Sequence, residues 1–205
     1  TLSSSSAASD VYKRQNLCEQ SGINVEDVAL GIGLDSRIGG RFLRAGPAYG
    51  GSCFPKDTKG LVHAADKYKT NLSIVKSVIK SNHERVNFLT KRVHKILGKN
   101  LKGKRIGVLG VTFKPNTDDM RDSTSLKMIP YLCRKGALVS YYDPSGEKNE
   151  FKKLINCKFK NSVKENCLKV DLIILVTEWD EFKLIDFKKV VKKKSFKIYD
   201  LRNIY

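Results

Sequence analysis

The residues best equipped for chemistry lie in one short run, Gly50-Gly51-Ser52-Cys53-Phe54-Pro55-Lys56-Asp57. Pro55 suits the first turn of a helix, where its missing N–H costs nothing. Ser52 and Cys53 then fall at the N-terminal approach to that helix. A thiol placed there faces unpaired backbone N–H groups and the positive end of the helix dipole, with the Lys56 ammonium a turn away, and each favours thiolate over thiol. Asp57 offers a carboxylate for proton transfer or water activation, and the paired glycines leave room for a substrate. The competing assignment is a buried structural thiol beside a tight turn, the commoner fate of a cysteine in a reducing compartment. The run alone does not decide between them.

A second cluster follows, Gly110-Val111-Thr112-Phe113-Lys114-Pro115-Asn116-Thr117-Asp118-Asp119-Met120-Arg121-Asp122-Ser123. It stands just after an apolar pentapeptide, RIGVL, where a dinucleotide-binding unit would carry G-x-G-x-x-G, and that fingerprint is absent. Lys114 and the start of the next helix still suit phosphates, although a solvated Lys and Arg in an ordinary loop would look the same. Asp143 ends the second apolar run, at the usual place of a ribose-binding acid, but without the glycines it is assigned no cofactor role.

These clusters need elements to hold them. Residues 1–15, TLSSSSAASDVYKRQ, have no sustained apolar period and are expected to form a tail outside the fold. From Asn16, Leu17, Ile23, Val25, Val28 and Leu30 suit short amphipathic helices, with Asn24 as an N-cap. Gly31 to Ser52 holds too many glycines for a regular element and is expected to be loop. After Pro55 a helix is expected through Tyr68. A second begins near Asn71 or Leu72 and runs uninterrupted to Gly98, about 38 Å at 1.5 Å per residue. A helix of that length usually spans two domains or lies in a subunit interface. Gly98 to Lys104 is the expected boundary, dividing a central helical region, 16–100, from a second domain, 101–205. Beyond it the pattern alternates: strands at Arg105 to Leu109, Ala137 to Tyr142, Val170 to Thr177 and Lys197 to Asp200, with helices over Ser123 to Lys135, Glu147 to Ile155 and Val163 to Leu168. The fold class is α/β: a central helical domain with a long connecting helix, then a Rossmann-like parallel sheet. Ligands are expected at its strand C-termini, near Phe113, Lys114, Arg121, Asp143, Thr177, Glu178 and Arg202.

Composition bounds the function classes. The 205 residues include 39 Lys and Arg against 21 Asp and Glu, for a net charge of +18. The basic residues are dispersed and not interleaved with aromatics, so a lysine-rich solvated surface is expected and no nucleic-acid partner. Five cysteines, an odd number with no CxxC pair, and three histidines without metal-ligand spacing argue for free thiols and no metal site. No apolar run is long enough to span a membrane, and a cytoplasmic location is expected.

Three stretches together carry a resemblance: GIGLDSRIGGRFLRAGPAYGGSCFPKDTKGL from Gly31, GVTFKPNTDDMRDSTS from Gly110, and the C-terminal YDLRNIY. In this order they resemble the nucleotide-sugar 6-dehydrogenases of the UDP-glucose/GDP-mannose dehydrogenase family, over nearly the whole chain from Asn16. The likeness covers that family's central region and C-terminal domain. The N-terminal NAD-binding domain, and the helix carrying a catalytic Lys and Asn, have no counterpart here. Leu201 also stands where a Gly is common.

The resemblance implies NAD-dependent oxidation of a sugar C6 alcohol to a carboxylate, with UDP-glucose as the expected substrate. Cys53 would capture the intermediate aldehyde as a thiohemiacetal that becomes a thioester, and Asp57 would assist proton transfer or hydrolysis. Phe42, Leu43, Arg44, Ala45 and Gly46 would lie along the UDP-sugar, with Gly50 at the sugar itself. Lys114 and Arg202 would contact substrate, Lys56 and Arg121 would contact NAD, and Arg37 would be lent to a neighbouring subunit's site. A homodimer or higher homo-oligomer is implied, as is a fragment inactive on its own. The alternatives are a dehydrogenase for GDP-mannose or another nucleotide sugar, and a non-catalytic UDP-sugar-binding or dimerisation module.

Overall fold

The computed structural model describes residues 14–38, 40 and 43–205. Phe42 and residues 1–13 of the expected tail lie outside the described residues. Arg14 and Gln15, assigned to the tail from sequence, instead belong to a helix (α1, 14–21), where Gln15 is buried and accepts a hydrogen bond from Arg85. Helix α2 (Val25–Gly33) starts at Asn24, whose side chain accepts the Glu26 N–H at 3.0 Å, with Glu26 and Asp27 placed to offset the helix dipole. None of its residues is buried, although it is rich in apolar side chains.

Helices α3 (Cys53–Lys67) and α4 (Ser73–Leu97) pack against each other. Val75, Val78, Val86, Leu89 and Val93 form the buried stripe of α4, on one helical face with two turns between Val78 and Val86. The helix stops at Gly98, whose φ of +95° a side chain would resist. The C-terminal half of α4 reaches the second part of the chain, where Leu89 and Val93 join the core.

There β1 (Arg105–Leu109), β2 (Leu138–Tyr142), β3 (Cys157–Phe159), β4 (Leu172–Leu175) and β5 (Lys197–Asp200) form a wholly parallel sheet in the order β3-β2-β1-β4-β5. Ile106 pairs with Val139 on one side and Leu172 on the other. Strand periodicity sends Ile106, Val108, Val139, Tyr141, Leu172 and Ile174 to one face, under Met128, Ile129 and Leu132 of α5 (Ser125–Arg134). Leu109, Ile173 and Leu175 go to the other face, where they meet Cys167 of α6 (Val163–Cys167) and Phe187 of α7 (Phe187–Val190). Strand order reverses between β1 and β4, so the crevice for a ligand opens at their C-terminal ends.

The strands expected from sequence are all present, and β1 and β5 have the expected bounds. The helix expected over Glu147 to Ile155 is reduced to a single 3₁₀ turn, Asn149–Phe151. The cause lies in the sheet: the Tyr141 hydroxyl accepts the Lys148 N–H at 2.8 Å and the Phe151 ring packs on the Tyr141 ring at 5.2 Å, so the chain is pinned before a helix can propagate. Among the described residues no helix is long and apolar enough to cross a membrane, and no cluster of three or more His, Cys, Asp or Glu could hold a metal ion.

The turn after β1 depends on Gly110, with φ +72°, where a Cβ would sit 2.5 Å from the Thr177 Cβ. Gly103 has nearly the same φ, +73°, and open space around it. Gly103→Ala is therefore expected to cost only the left-handed strain of about 1–2 kcal/mol, while Gly110→Ala adds an overpacking cost of about 1–3 kcal/mol. Urea unfolding of the two variants checks this, and equal losses would remove the steric account of the turn.

Candidate functional site

Cys53 is the first residue of α3 and is exposed. The helix starts earlier than the sequence reading implied, so Pro55 lies within the first turn, buried, and its missing N–H leaves no donor unpaired. Ser52 makes no side-chain cap, and its hydroxyl stands 3.6 Å from the Cys53 sulfur. Lys56 and Asp57 follow one turn on, both exposed, with Lys56 Nζ 3.5 Å from Asp57 Oδ1. Spacings of three and four put them on the face of Cys53. Cys18, Cys133 and Cys167 are buried and Cys157 half-buried, and burial pushes the Cys167 thiol up to about 12. Cys53 is the thiol open to a substrate.

The glycines before it are there for contact. A Cβ at Gly50 would stand 2.6 Å from the Asp122 carbonyl oxygen. One at Gly51, where φ is +87°, would stand 2.8 Å from the Phe113 ring. The Gly51 N–H donates to the Arg121 carbonyl at 2.8 Å. These contacts seat the start of α3 on the loop following β1, at the ligand edge of the sheet.

Arg202 reaches the same place from the C-terminus. Its Nε donates to the Val176 carbonyl at 2.8 Å, its Nη2 donates to the Phe113 carbonyl at 3.1 Å, and Glu178 pairs with it at 2.9 Å. Burial depresses its pKa, but a guanidinium keeps its charge in a protein. A Cβ at Gly46 would lie 3.1 Å from Arg202 Nη1, so the expected substrate loop and this arginine touch. Within that loop Leu43 and Ala45 turn inward, each 4% exposed, while Arg44 faces solvent. Leu201, in place of the usual Gly, is buried in the main core.

Lys114 is exposed with its ammonium 5.4 Å from the Phe113 ring centroid. Arg121 folds back on Asp119, Nη2 to Oδ2 at 2.8 Å. This pairing holds the Asp119 carboxyl below its ordinary range and raises Arg121, with Cys53 adding to the latter. Arg37, also exposed, is forked on Asp35 at 2.6 Å and meets none of the other site residues in the described hydrogen bonds and ion pairs. Gly46, Gly50, Cys53, Arg121 and Arg202 are thus brought together; Arg37 is not.

Asp143 is buried, and its carboxylate accepts the Val111 N–H at 2.7 Å, the Thr112 N–H at 3.4 Å and the Ser145 N–H at 2.9 Å. It fastens the loop after β1 and has no access to a ribose. Two open hollows of about 520 and 540 Å³ lie at the opposite, N-terminal edge of the strands and contain none of the expected site residues. Chemistry, and not room, locates the site. Sequence reasoning passed over Asn82, Arg85 and Asp119, which fix the loops around Cys53; the one available signal was a polar residue inside the apolar stripe of α4.

A parallel sheet of this order, with cations at its carboxyl edge and an exposed thiol at an adjoining helix start, defines a nucleotide-binding α/β protein equipped with a cysteine. The chain belongs to the UDP-glucose/GDP-mannose dehydrogenase family: residues 9–84 match its central domain and residues 107–205 its UDP-binding domain. It is 44% identical over 191 residues to a UDP-glucose 6-dehydrogenase of Rhizobium meliloti, covering 93% of this chain and 44% of that protein. It is 37% identical to one of Bacillus subtilis, covering 93% and 43%. The structure of a UDP-glucose dehydrogenase from Pyrobaculum islandicum superposes with a TM-score of 0.88 at 28% identity, over 98% of this chain and 45% of the other. The chain therefore spans less than half the length of these relatives.

Because Arg121 binds the ionised carboxylate, the Asp119 clamp is in place above the ordinary carboxylate pKa of about 3.9 and is lost as pH falls through the depressed folded value. Carboxyl-detected NMR titration should give Asp119 a value below that of an unpaired Asp, restored by Arg121→Ala. An unchanged titration in the variant would mean that the pairing does not hold the loop.

Proposed function

We propose that this chain supplies the nucleophile and the nucleotide-sugar cradle of a UDP-glucose 6-dehydrogenase. The observation that carries the reading is the seating of Cys53, exposed at the start of α3, against the sheet edge that bears Arg202. The proposed division is a central helical region to residue 100, with α4 as the connection, and a UDP-binding domain from residue 101, in keeping with the two family matches.

In the mechanism we favour, the C6 alcohol is oxidised to an aldehyde, the Cys53 thiolate adds to the aldehyde carbon, and the thiohemiacetal loses a second hydride to become a thioester. Water then attacks the acyl carbon, Asp57 takes its proton, and the Cys53 sulfur leaves as the carboxylate forms. Sulfur suits both ends of this sequence, since a thiolate adds readily and departs readily. NAD supplies the hydride acceptor. Lys56 and Arg121 fit it, being exposed cations beside Cys53, whereas the Val111 and Thr112 N–H groups at the end of β1 do not, since Asp143 engages them. Arg202 holds the substrate from beneath, its guanidinium fixed by two carbonyls and Glu178, with Lys114, Arg44, Leu43, Ala45, Gly46 and Gly50 along the nucleotide sugar, as the family likeness suggests. Arg37 is assigned to a neighbouring subunit's site, which suits its side-chain exposure of 87%.

Oxidation of UDP-glucose is preferred over that of GDP-mannose because the relatives at 44% and 37% identity are UDP-glucose 6-dehydrogenases. The share of those proteins that the chain covers, 44% and 43%, supports a second reading in which the 205 residues alone bind UDP-sugar without oxidising it. Self-association is supported by the unburied apolar side chains of α1 and α2, Leu17 and Leu30 among them, and by Leu34 just past α2, and free thiols suit a reducing, cytoplasmic setting.

With the chain joined to the N-terminal half of a curated relative, two NADH are expected per UDP-glucose. Cys53→Ala should lower kcat by more than about 10³-fold, and Arg202→Ala should chiefly raise KM for UDP-glucose. Full turnover by Cys53→Ala would end the covalent mechanism; NADH formation by the 205 residues alone would end the reading of them as a binding portion.

A further inference from the structure

Asn82 occupies a place on α4 where the sequence pattern calls for an aliphatic residue. Val75 and Leu89 lie one heptad to either side of it in the buried stripe, and a heptad step returns close to the same face of a helix. A half-buried amide there forgoes apolar contact and needs its donor and acceptor answered. A single residue answers both. The Tyr49 N–H donates to Asn82 Oδ1 at 3.0 Å, and Asn82 Nδ2 donates to the Tyr49 carbonyl at 3.0 Å. Only one orientation of the amide satisfies the two bonds, so its oxygen and nitrogen are fixed by their partners.

The grip continues along the loop. One turn beyond Asn82, the buried Arg85 donates from Nε to the Pro47 carbonyl at 3.2 Å and from Nη2 to Gln15 Oε1 of α1 at 2.8 Å. The Gly51 N–H is held by the Arg121 carbonyl at 2.8 Å. The Tyr49 ring packs edge-on against Phe54, centroids 4.6 Å apart. Pro47, Tyr49 and Gly51 are thus all tied by their backbones just ahead of Cys53, and α4 ties the first two.

We propose that Asn82, seconded by Arg85, is a positioning residue for Cys53: its two-sided hold on Tyr49 fixes the 47–51 backbone and with it the start of α3. The inference rests on the reading of Cys53 as the nucleophile. An aliphatic side chain of similar size would serve the stripe of α4 at least as well, since a buried polar group gains little over well-packed apolar atoms. The use of the amide is therefore in the loop. A covalent catalyst needs such a hold, because a displacement of about 1 Å in a reacting group costs on the order of 10²-fold in rate.

Two measurements on Asn82→Leu test it. In hydrogen–deuterium exchange of the 205-residue chain, the amides of Tyr49 to Cys53 should exchange about tenfold faster, with the sheet strands unchanged. In the protein completed with an N-terminal half, kcat should fall by about 10²-fold while KM for UDP-glucose moves by less than about twofold. Asn82→Asp keeps the acceptor for the Tyr49 N–H but sets a carboxylate oxygen against the Tyr49 carbonyl; it should shift both readouts the same way, and it carries the test if Asn82→Leu does not fold. Unchanged exchange would overturn the grip, and faster exchange with unchanged kcat would overturn its role in placing Cys53. Failure of the nucleophile reading shows separately, as turnover by Cys53→Ala.

Discussion

The absence of a side chain at residue 50 is the constraint on which the site depends. The Asp122 carbonyl oxygen comes so near Gly50 that a Cβ would meet it at 2.6 Å, and the Phe113 ring comes as near to Gly51. No side chain could stand between the two backbones, and at this closeness the Gly51 N–H reaches the Arg121 carbonyl. Cys53, at the start of α3, and the cations at the sheet edge are joined through main chain. Glycine here is a spacer of zero thickness as much as a flexible joint.

The sheet shows how a nucleotide-binding topology is turned to a different use. Its strand order places the crevice between β1 and β4, but the loop after β1 is folded inward by its own partners. Asp143 receives the Val111 and Thr112 N–H groups, and the Ser123 hydroxyl donates to the Val111 carbonyl at 2.6 Å. Donors that would otherwise face a pyrophosphate are spent within the protein. Side chains stand at the rim instead, among them Arg202, held by two carbonyls and Glu178.

Much of this was legible in the sequence where one local signal sufficed. The apolar runs of β1 and β5, the long period of α4 and the cap at Asn24 each state their structure within a few residues. β3 escaped because Cys157–Phe159 is only three residues long, with Lys158 at its centre and Lys160 after it; it becomes a strand by pairing with Val139, Ser140 and Tyr141 of β2. The helix expected over Glu147 to Ile155 failed for a related reason, since Tyr141 decides that segment from a distance. At the site, the placing of Cys53, Lys56 and Asp57 on one helical turn could be read from their spacing. The meeting of Gly46 with Arg202 could be expected only from the family likeness, and the hold of Asn82 on Tyr49, across 33 residues, was not expressed in any motif.

That last separation has a consequence for how the molecule comes into being. Helix α3 is a local structure, able to form as soon as its own residues are available. The contacts that aim it are not: Tyr49 waits for Asn82, Gly51 for the Arg121 carbonyl, and Gly46 for Arg202 beyond β5. Closing such long loops costs entropy before any contact repays it, so they belong to the late stages of folding. During synthesis Cys53 leaves the ribosome well ahead of every group that gives it a direction. The seating of Cys53 is the property of a chain extended through Arg202, and one stopped short of it carries a cysteine without that support.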